Sequence, residues 1–369
     1  MKTRIVKEGE TEFYVPEGKE SKKGPGKKVN GFYNPSMELN RDISILVVQW
    51  LTEVSQKPLK ILDGLAASGA RGIRIANEVK GDFEVIINDW KKEAYMLIKK
   101  NIQHNKLKNA IAKCENVNKL LHENKFDYID IDPYGTPVPY IDAAIKGIKT
   151  NGIIAVTATD TATLCGIYPK TCIRRYFSVP FHSYIMHEVG LRILIGYICR
   201  EAAKCDRGID VLLSYATDHY MRIYVKILRG AKRADESLEK VKSVDVSNYT
   251  NNMEKVEVGP LWTGNLHRKD VLKAIEKNLG NVVLGTKRDI EKLLQRMFQE
   301  IDMPLFFYSI DHLSSKLKIS PPKLSYVLKE LNRRGYSVSR TQFGDTSFKT
   351  TAPIEIVYNV FKELEVRYP

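Results

Sequence analysis

The sequence has no run of about 18 consecutive apolar residues, the length that a membrane-spanning helix requires. Its most apolar long segment, residues 185–199, is interrupted by His187, Glu188 and Arg192. The first residues contain no apolar stretch of the kind that secretory signals carry. We therefore expect neither a membrane partner nor an exported protein.

Cysteine is also scarce: there are five, at positions 114, 165, 172, 199 and 205, and no two are spaced as Cys-x-x-Cys. The odd number and the wide spacing do not suggest a disulfide framework. They favour reduced thiols in an intracellular protein, and we expect a cytoplasmic location.

Acidic residues are fewer than basic ones, 44 against 58, so the formal net charge is +14. The excess is spread along the chain, which indicates a broad basic surface and a polyanionic partner, most simply nucleic acid. Residues 19–28 hold five lysines with two glycines and a proline. This loop either follows a phosphate backbone or is simply a solvated run of charge.

Short apolar runs alternate with helical spacings from about residue 60, a pattern typical of a parallel sheet covered on both faces. The runs at 60–65, 84–87, 126–131 and 152–157 predict strands, and 211–215 with 222–227 predict a terminal pair near the sheet edge. Helices are predicted at 70–79, 91–102 and 140–148.

A change in composition at Arg229 predicts a domain boundary, and 369 residues suffice for at least two domains. We divide the chain into 1–230, a charged linker at 231–256, and a smaller α+β domain at 257–369. Within the last, 289–301, 310–317, 321–334 and 341–349 are expected to form three helices and a hairpin, an order similar to a winged helix.

Two common nucleotide-binding motifs are missing from the loop that follows the first predicted strand. The loop runs from Asp63-Gly64 to Gly72, with glycines spaced G-x4-G-x2-G, so it is neither a P-loop nor a dinucleotide fingerprint. Its small residues would let a ligand approach the backbone, where helix N–H groups point at it. The alternative is a tight connection without a ligand.

Polar residues follow the next two strands as well. Asp89 comes directly after the second strand, where a carboxylate accepts hydrogen bonds from a ribose diol or caps a helix. Glu115-Asn116 follow a short apolar piece and could meet an adenine edge if they lie at the end of a third strand.

The sharpest motif is Asp130-Ile131-Asp132-Pro133-Tyr134-Gly135, at the end of the predicted strand 126–131. Ligands of open α/β sheets bind at this edge. There Asp132 could accept hydrogen bonds from an exocyclic amine, and Tyr134 could stack on a base. Alternatively, the motif is a structural Asp-Pro turn with a core tyrosine.

These elements in this order resemble class I S-adenosylmethionine methyltransferases, which have a Rossmann-like, mostly parallel seven-stranded sheet. Further stretches narrow the resemblance to the tRNA guanine-26 N2-dimethyltransferases, archaeal type, over residues 30–355. They are Phe32-Tyr33-Asn34-Pro35, Asn40-Arg41-Asp42, Thr157-Ala158-Thr159-Asp160, Gly259-Pro260-Leu261-Trp262, Arg333-Arg334-Gly335-Tyr336 and Ser339-Arg340-Thr341.

The resemblance implies a role for each matching residue. It implies S-adenosylmethionine as cofactor, tRNA as partner and methylation of guanine N2, with 257–369 as the tRNA-binding domain. The expected cofactor-binding residues are Arg41, Asp63, Gly64, Arg71, Asp89, Glu115 and Asn116. Asp132 is the expected catalytic acid, with the carbonyl of Pro133 as a second acceptor and with Phe32 and Tyr134 enclosing the base.

Two other functions stay open at the level of sequence: an amino-methyltransferase acting on adenine or cytosine of DNA or rRNA, and a non-catalytic nucleic-acid-binding protein. Some members of the family carry a four-cysteine zinc site, but residues 229–262 contain no cysteine. We therefore expect no metal, and we favour a monomer.

Overall fold

The computed structural model describes residues 2–17, 33–217, 219–250 and 255–367. The strands are β1 (Thr3–Glu8), β2 (Thr11–Pro16), β3 (Leu59–Asp63), β4 (Phe83–Asn88), β5 (Ala110–Lys113), β6 (Phe126–Ile131), β7 (Ile148–Ala158), β8 (Arg207–Ala216), β9 (Met221–Arg229), β10 (Val241–Asp245), β11 (Glu257–Trp262), β12 (Tyr308–Ser309), β13 (Val338–Thr341) and β14 (Gly344–Thr350).

The helices are α1 (Glu38–Val54), α2 (Ala70–Glu78), α3 (Lys92–His104), α4 (Val117–Glu123), α5 (Val138–Gly147), α6 (Thr161–Leu164), α7 (Pro169–Tyr176), α8 (Met186–Ala203), α9 (Ala231–Leu238), α10 (Lys269–Asn278), α11 (Lys287–Glu300), α12 (Ile310–Leu317), α13 (Leu324–Arg333) and α14 (Ile354–Arg367). None of these described helices is long and apolar enough to cross a membrane.

A seven-stranded sheet of order β5-β4-β3-β6-β7-β9-β8 forms the centre of the molecule. Strands β3 to β7 pair in parallel, and β9 runs antiparallel between β7 and β8. The predicted α/β class with a mostly parallel seven-stranded sheet is confirmed. Because β3, β4, β6 and β7 are parallel, the polar residues that follow them meet at one edge of the sheet.

Each face of the sheet is covered by its own apolar core. Helices α4, α5 and α8 pack on one face around fully buried side chains such as Ile129 and Ile195. Helices α1, α2, α10 and α11 cover the other face around Ile61 and Val85. The near-continuous apolar strands seen in the sequence follow from this burial on both sides.

The N-terminal residues form two strands, although the first strand predicted from the sequence begins at residue 60. β1 and β2 form an antiparallel hairpin, in which Thr11, Phe13 and Val15 point inward and are almost fully buried. The alternation is only three residues long, and polar residues separate its members, so hydrophobicity alone gives a weak signal. The lysine-rich stretch 19–28 and Phe32 lie outside the described residues.

The predicted linker 231–256 holds α9 and β10, and β10 pairs with β11. Apolar side chains of residues 258–297 pack into the two cores of the large sheet. A separate apolar cluster begins at Tyr308 and ends at Leu364, around α12, α13, α14 and a three-stranded sheet of order β12-β14-β13. The domain boundary at residue 257 stays a prediction. The apolar core that is separate from those of the large sheet lies within residues 308–364.

Candidate active site

The loop between β3 and α2 is fixed by its own backbone and by two carboxylates. Asp63 Oδ2 accepts a hydrogen bond from the Gly72 N–H at 2.9 Å. Gly69 has φ +79°, a conformation that favours glycine. A Cβ on Gly64 would lie 3.0 Å from the Asp130 carbonyl oxygen. The loop is therefore held in one shape, with its backbone accessible to a ligand.

Asp89 lies directly after β4 and closes the same loop from the neighbouring strand. Its Oδ2 accepts from the Ala67 N–H and its Oδ1 from the Lys91 N–H, both at 2.9 Å. Each carboxylate oxygen has a second lone pair, so the capping role does not prevent Asp89 from accepting ribose hydroxyls as well.

Glu115 and Asn116 follow β5 and behave differently from each other. Asn116 Oδ1 caps α4 by accepting from the Asn118 N–H at 2.9 Å. Glu115 Oε2 is buried and has no hydrogen-bond partner within the described residues. Buried polar atoms are nearly always paired, so this oxygen indicates a donor that lies outside the described residues. A ligand hydroxyl or amine at this edge fits that requirement.

The Asp132-Pro133-Tyr134-Gly135 turn is pinned to the end of β7. The Gly135 N–H donates to Thr159 Oγ1 at 2.7 Å, and the Thr159 N–H donates to the Gly135 carbonyl at 3.0 Å. Pro133 is buried, whereas the side chain of Tyr134 is 67% exposed. The turn therefore holds Asp132 rigidly and leaves an aromatic ring accessible beside it.

Arg71 of α2 connects the loop after β3 to the Asp132–Gly135 turn. Its guanidinium donates to Asn40 Oδ1 at 2.7 Å, to Ser44 Oγ at 2.5 Å and to Asp132 Oδ2. Its Nε lies 3.4 Å from Asp130 Oδ1. Burial lowers the pKa of Arg71, but the charges of Asp130, Asp132 and Asp63 together outweigh that effect and raise it, so Arg71 stays charged.

Arg222 of β9 holds Asp130 from the other side. It makes a bidentate pair with the two Asp130 oxygens at 3.0 and 2.6 Å, and it donates to Thr157 Oγ1 at 2.9 Å. Both partners of the pair are fully buried. Burial raises the pKa of Asp130, but Arg222 and Arg71 outweigh it and bring the pKa below its ordinary value.

The predicted cofactor residue Arg41 lies in a second buried ion-pair group, on the side of the N-terminal hairpin. Its guanidinium pairs with Glu8 at 2.5 and 2.7 Å and stacks over Tyr33 at 5.0 Å. The structure thus brings Asp63, Asp89, Glu115, Asp132 and Arg71 to one edge, whereas the Arg41 guanidinium is engaged by Glu8 of the hairpin. Phe32 lies outside the described residues.

Arg222, Glu8 and Ser44 belong to the site in the folded chain but are not among the residues predicted from the sequence. Arg222 offers one signal, an arginine inside the apolar run of a predicted strand, which requires a buried partner. Glu8 and Ser44 carry no such signal. Within the described ranges, no three His, Cys, Asp or Glu side chains are grouped as a metal site would require.

Comparison with known proteins gives consistent matches over almost the whole chain. The family model of the N2,N2-dimethylguanosine tRNA methyltransferases matches residues 9–362. The tRNA (guanine(26)-N(2))-dimethyltransferase of Pyrococcus furiosus is 39% identical, with 97% of this chain and 98% of the relative covered. The protein of the same name from Methanocorpusculum labreanum is also 39% identical, with 97% and 96% covered.

Among solved structures, Trm1 from Pyrococcus horikoshii in complex with S-adenosyl-L-methionine is 35% identical and superimposes with a TM-score of 0.87. The match covers 97% of this chain and 99% of that one. The similarity therefore extends over the sheet, the site and the C-terminal region together.

Removing Arg222 should destabilise the fold strongly. Arg222→Met leaves the Asp130 carboxylate buried without its bidentate partner, and breaking a buried pair in this way costs about 3–5 kcal/mol. Chemical denaturation measures the loss. Lys146→Met is the matched control, because its ion pair with Asp142 is exposed and should contribute little. Equal stabilities for the two variants would contradict the role given to Arg222.

Asp63 should make the stability of the fold depend on pH. Burial raises its pKa to about 7, although the Arg71 charge acts in the opposite direction. The folded state then binds the proton more tightly than the unfolded chain, so this contribution is complete below about pH 4 and is lost as the pH rises through 7. The Tm of wild type minus that of Asp63→Asn should therefore fall across this range. A constant difference would show that Asp63 does not titrate there.

Proposed function

The chain belongs to the N2,N2-dimethylguanosine tRNA methyltransferase family, and we propose that the residues gathered at its sheet edge carry the reaction of that family. It is an S-adenosylmethionine-dependent methyltransferase that acts on N2 of guanine 26 in tRNA. Methylation of adenine or cytosine in DNA or rRNA, and a purely binding role, are not favoured by these relatives.

The cofactor-binding roles are assigned to the residues that surround the loop after β3. Asp89 would hold the ribose hydroxyls, and Glu115 would use its unpaired buried oxygen for the adenosine part. Arg71 would hold the methionine carboxylate, as its position beside the loop allows. Asp63 and Gly64 would shape the loop. Asn116 and Arg41 would bind the cofactor as the resemblance implies.

The bound cofactor supplies an electrophilic methyl group on a sulfonium. Guanine N2 is a poor nucleophile because its lone pair is delocalised into the ring. Asp132 and the carbonyl of Pro133 would accept hydrogen bonds from its two N–H groups, so that the nitrogen turns its lone pair out of conjugation. As the N–C bond forms, Asp132 would take up the proton that leaves nitrogen.

The contact between Arg71 and Asp132 is the observation that carries this proposal. It fixes Oδ2 of the carboxylate, so that Oδ1 is the oxygen available to the amine. It also connects the group that binds the cofactor to the group that activates the base. Orientation of this kind is the main source of rate in such a reaction. Tyr134 would stack on the base, together with Phe32 as the resemblance implies.

The C-terminal residues are proposed to bind tRNA. Lys323, Lys329 and Arg340 are exposed, which suits contacts to a phosphate backbone. Arg333 and Arg334 are less available than the sequence suggests, because both pair with Glu330. We propose that the enzyme acts as a monomer, in the cytoplasm where tRNA is found.

Asp132→Asn should abolish most of the turnover and leave the cofactor bound. The amide keeps the shape but presents a donor to an amine that needs an acceptor, so kcat should fall by about 10²–10³-fold. Single-turnover transfer of a labelled methyl group to tRNA measures the loss, and calorimetry measures cofactor affinity. Asp127→Asn, at the opposite end of β6, should leave kcat unchanged. Near wild-type turnover in Asp132→Asn would reduce the motif to a structural turn.

Asp89→Ala should weaken binding of S-adenosylmethionine by roughly ten- to a hundredfold, the usual effect of losing a hydrogen bond to a charged group. Asp89 also braces the loop, so an analogue without the two ribose hydroxyls is needed as a second ligand. In wild type, the analogue should bind more weakly by a similar factor. In Asp89→Ala, removing the hydroxyls should cost nothing further. If removing the ribose hydroxyls weakens binding equally in both proteins, Asp89 does not bind the ribose and only braces the loop.

A further inference from the structure

The segment that follows β7 packs beside the Asp132–Gly135 turn. It carries α6 and α7, and α7 ends at Tyr176, whose hydroxyl lies 2.8 Å from Thr136 Oγ1 and donates to Asp160 Oδ1 at 2.9 Å. Thr136 is two residues beyond Tyr134. A helix of eight residues is about 12 Å long, so the other residues of α7 lie within roughly that distance of Tyr176, which contacts the turn.

α7 has one buried face and one face that nothing in the described structure covers. Cys172 and Tyr176, four residues apart, are buried, and the Tyr176 ring meets Tyr197 of α8 edge-on at 5.6 Å. The opposite face is formed by residues spaced three and four apart, all of them exposed: Lys170, Ile173, Arg174 and, directly after the helix, Phe177. We call this face, with Tyr168 at its start, the α7 surface.

The charge of the α7 surface is positive and largely uncompensated. From Thr161 to His187 the sequence contains no Asp or Glu. Arg174 donates to Thr171 Oγ1 at 3.2 Å, and no carboxylate of the described residues lies within ion-pair distance of Lys170 or Arg174. The neighbouring Arg175 pairs with Asp160 at 3.2 Å. Two cations about one helix turn apart thus point outward without acidic partners among the described residues.

The same surface exposes large apolar side chains that folding alone would bury. Tyr168 is 59% exposed, Ile173 45% and Phe177 65%. Phe177 has φ +50°, a conformation that is uncommon for a bulky residue, and it ends the helix with the ring outside the core. Contiguous exposed apolar groups mark interaction sites, and here they alternate with cations.

We propose that the α7 surface binds the nucleotides that flank the target guanine once the guanine leaves its stack, a role that rests on the proposed function. Cations alternating with exposed rings are the chemistry by which proteins hold single-stranded RNA, since the cations contact phosphates and the rings stack on bases. Taking the guanine out of its stack leaves its neighbours without a stacking partner. Tyr168 and Phe177 stack on these neighbours in place of the guanine. Tyr134, exposed on the adjacent turn, stacks on the guanine itself.

The charged part of the surface is tested with Lys170→Ala combined with Arg174→Ala. The matched control is Lys232→Ala with Arg233→Ala, two exposed basic residues on α9. This helix follows β9, which runs antiparallel to β7 and therefore ends on the side of the sheet opposite the site. Filter binding of unmodified tRNA across a salt series gives the slope of log K against log salt. Each lost phosphate contact should reduce the slope by roughly 0.7–0.9, and so by about 1.4–1.8 for the pair. The control pair should keep the wild-type slope.

The aromatic part is tested with Phe177→Leu, which stays apolar but cannot stack, and with Phe177→Tyr, which can. Phe177→Leu should weaken tRNA binding about tenfold at every salt concentration, with an unchanged slope. Phe177→Tyr should restore wild-type affinity. Cofactor affinity and Tm should be unaffected in all of these variants, since none of the residues lies in the cofactor site or the core.

The outcomes separate this inference from the proposed function. If wild type transfers methyl groups to guanine in tRNA but the α7 variants keep its slope, affinity and KM for tRNA, the surface does not bind RNA. A change in the mass of the free protein on gel filtration, with tRNA binding intact, would instead assign the surface to a second copy of the chain. If wild type transfers no methyl group to tRNA, it is the proposed function that fails.

Discussion

The buried carboxylate of Asp130 is the group on which the site depends. It lies at the end of β6, in the middle of the sheet, and a charge in that position is costly unless it is paired and fully hydrogen-bonded. Arg222 from β9 and Arg71 from α2 meet that requirement from two sides, and the Tyr128 hydroxyl donates to the same group at 2.8 Å. Because Arg71 also binds Asp132, the position of the carboxylate that we propose as catalytic follows from the pairing of its neighbour two residues earlier.

A second group of buried charges joins the rest of the chain to this centre. In the first turn of α1, Asn40 contacts Arg71, Arg41 contacts Glu8 of the hairpin, and Asp42 lies 2.7 Å from Arg74. Asp42 also accepts from the Thr286 N–H at 2.9 Å, ahead of α11. Three consecutive residues therefore hold the hairpin, α2 and the segment ahead of α11 in one arrangement around the loop after β3.

Carboxylates gather at the sheet edge although the chain as a whole is basic. Asp63, Asp89, Glu115 and Asp132 lie there together with the Arg71 guanidinium, and a site rich in acceptors suits a cationic cofactor. Exposed cations without a carboxylate within ion-pair distance in the described residues include Lys170 and Arg174 on α7 and Lys323, Lys329 and Arg340 in the C-terminal residues. Such surface cations attract a polyanion.

The sequence by itself determined the class of fold and the edge where the chemistry lies, because strand periodicity and the residue after each strand are local properties. It also indicated Asp63, Asp89, Glu115 and Asp132 as residues of one site, since parallel strands must end together. The three-residue alternation of the hairpin was too short to be recognised. Pairings between distant residues were decided only by tertiary structure: Arg222 with Asp130, 92 positions apart, and Glu8 with Arg41 and Arg74. A buried charge must have a partner, but only the folded chain determines which one reaches it.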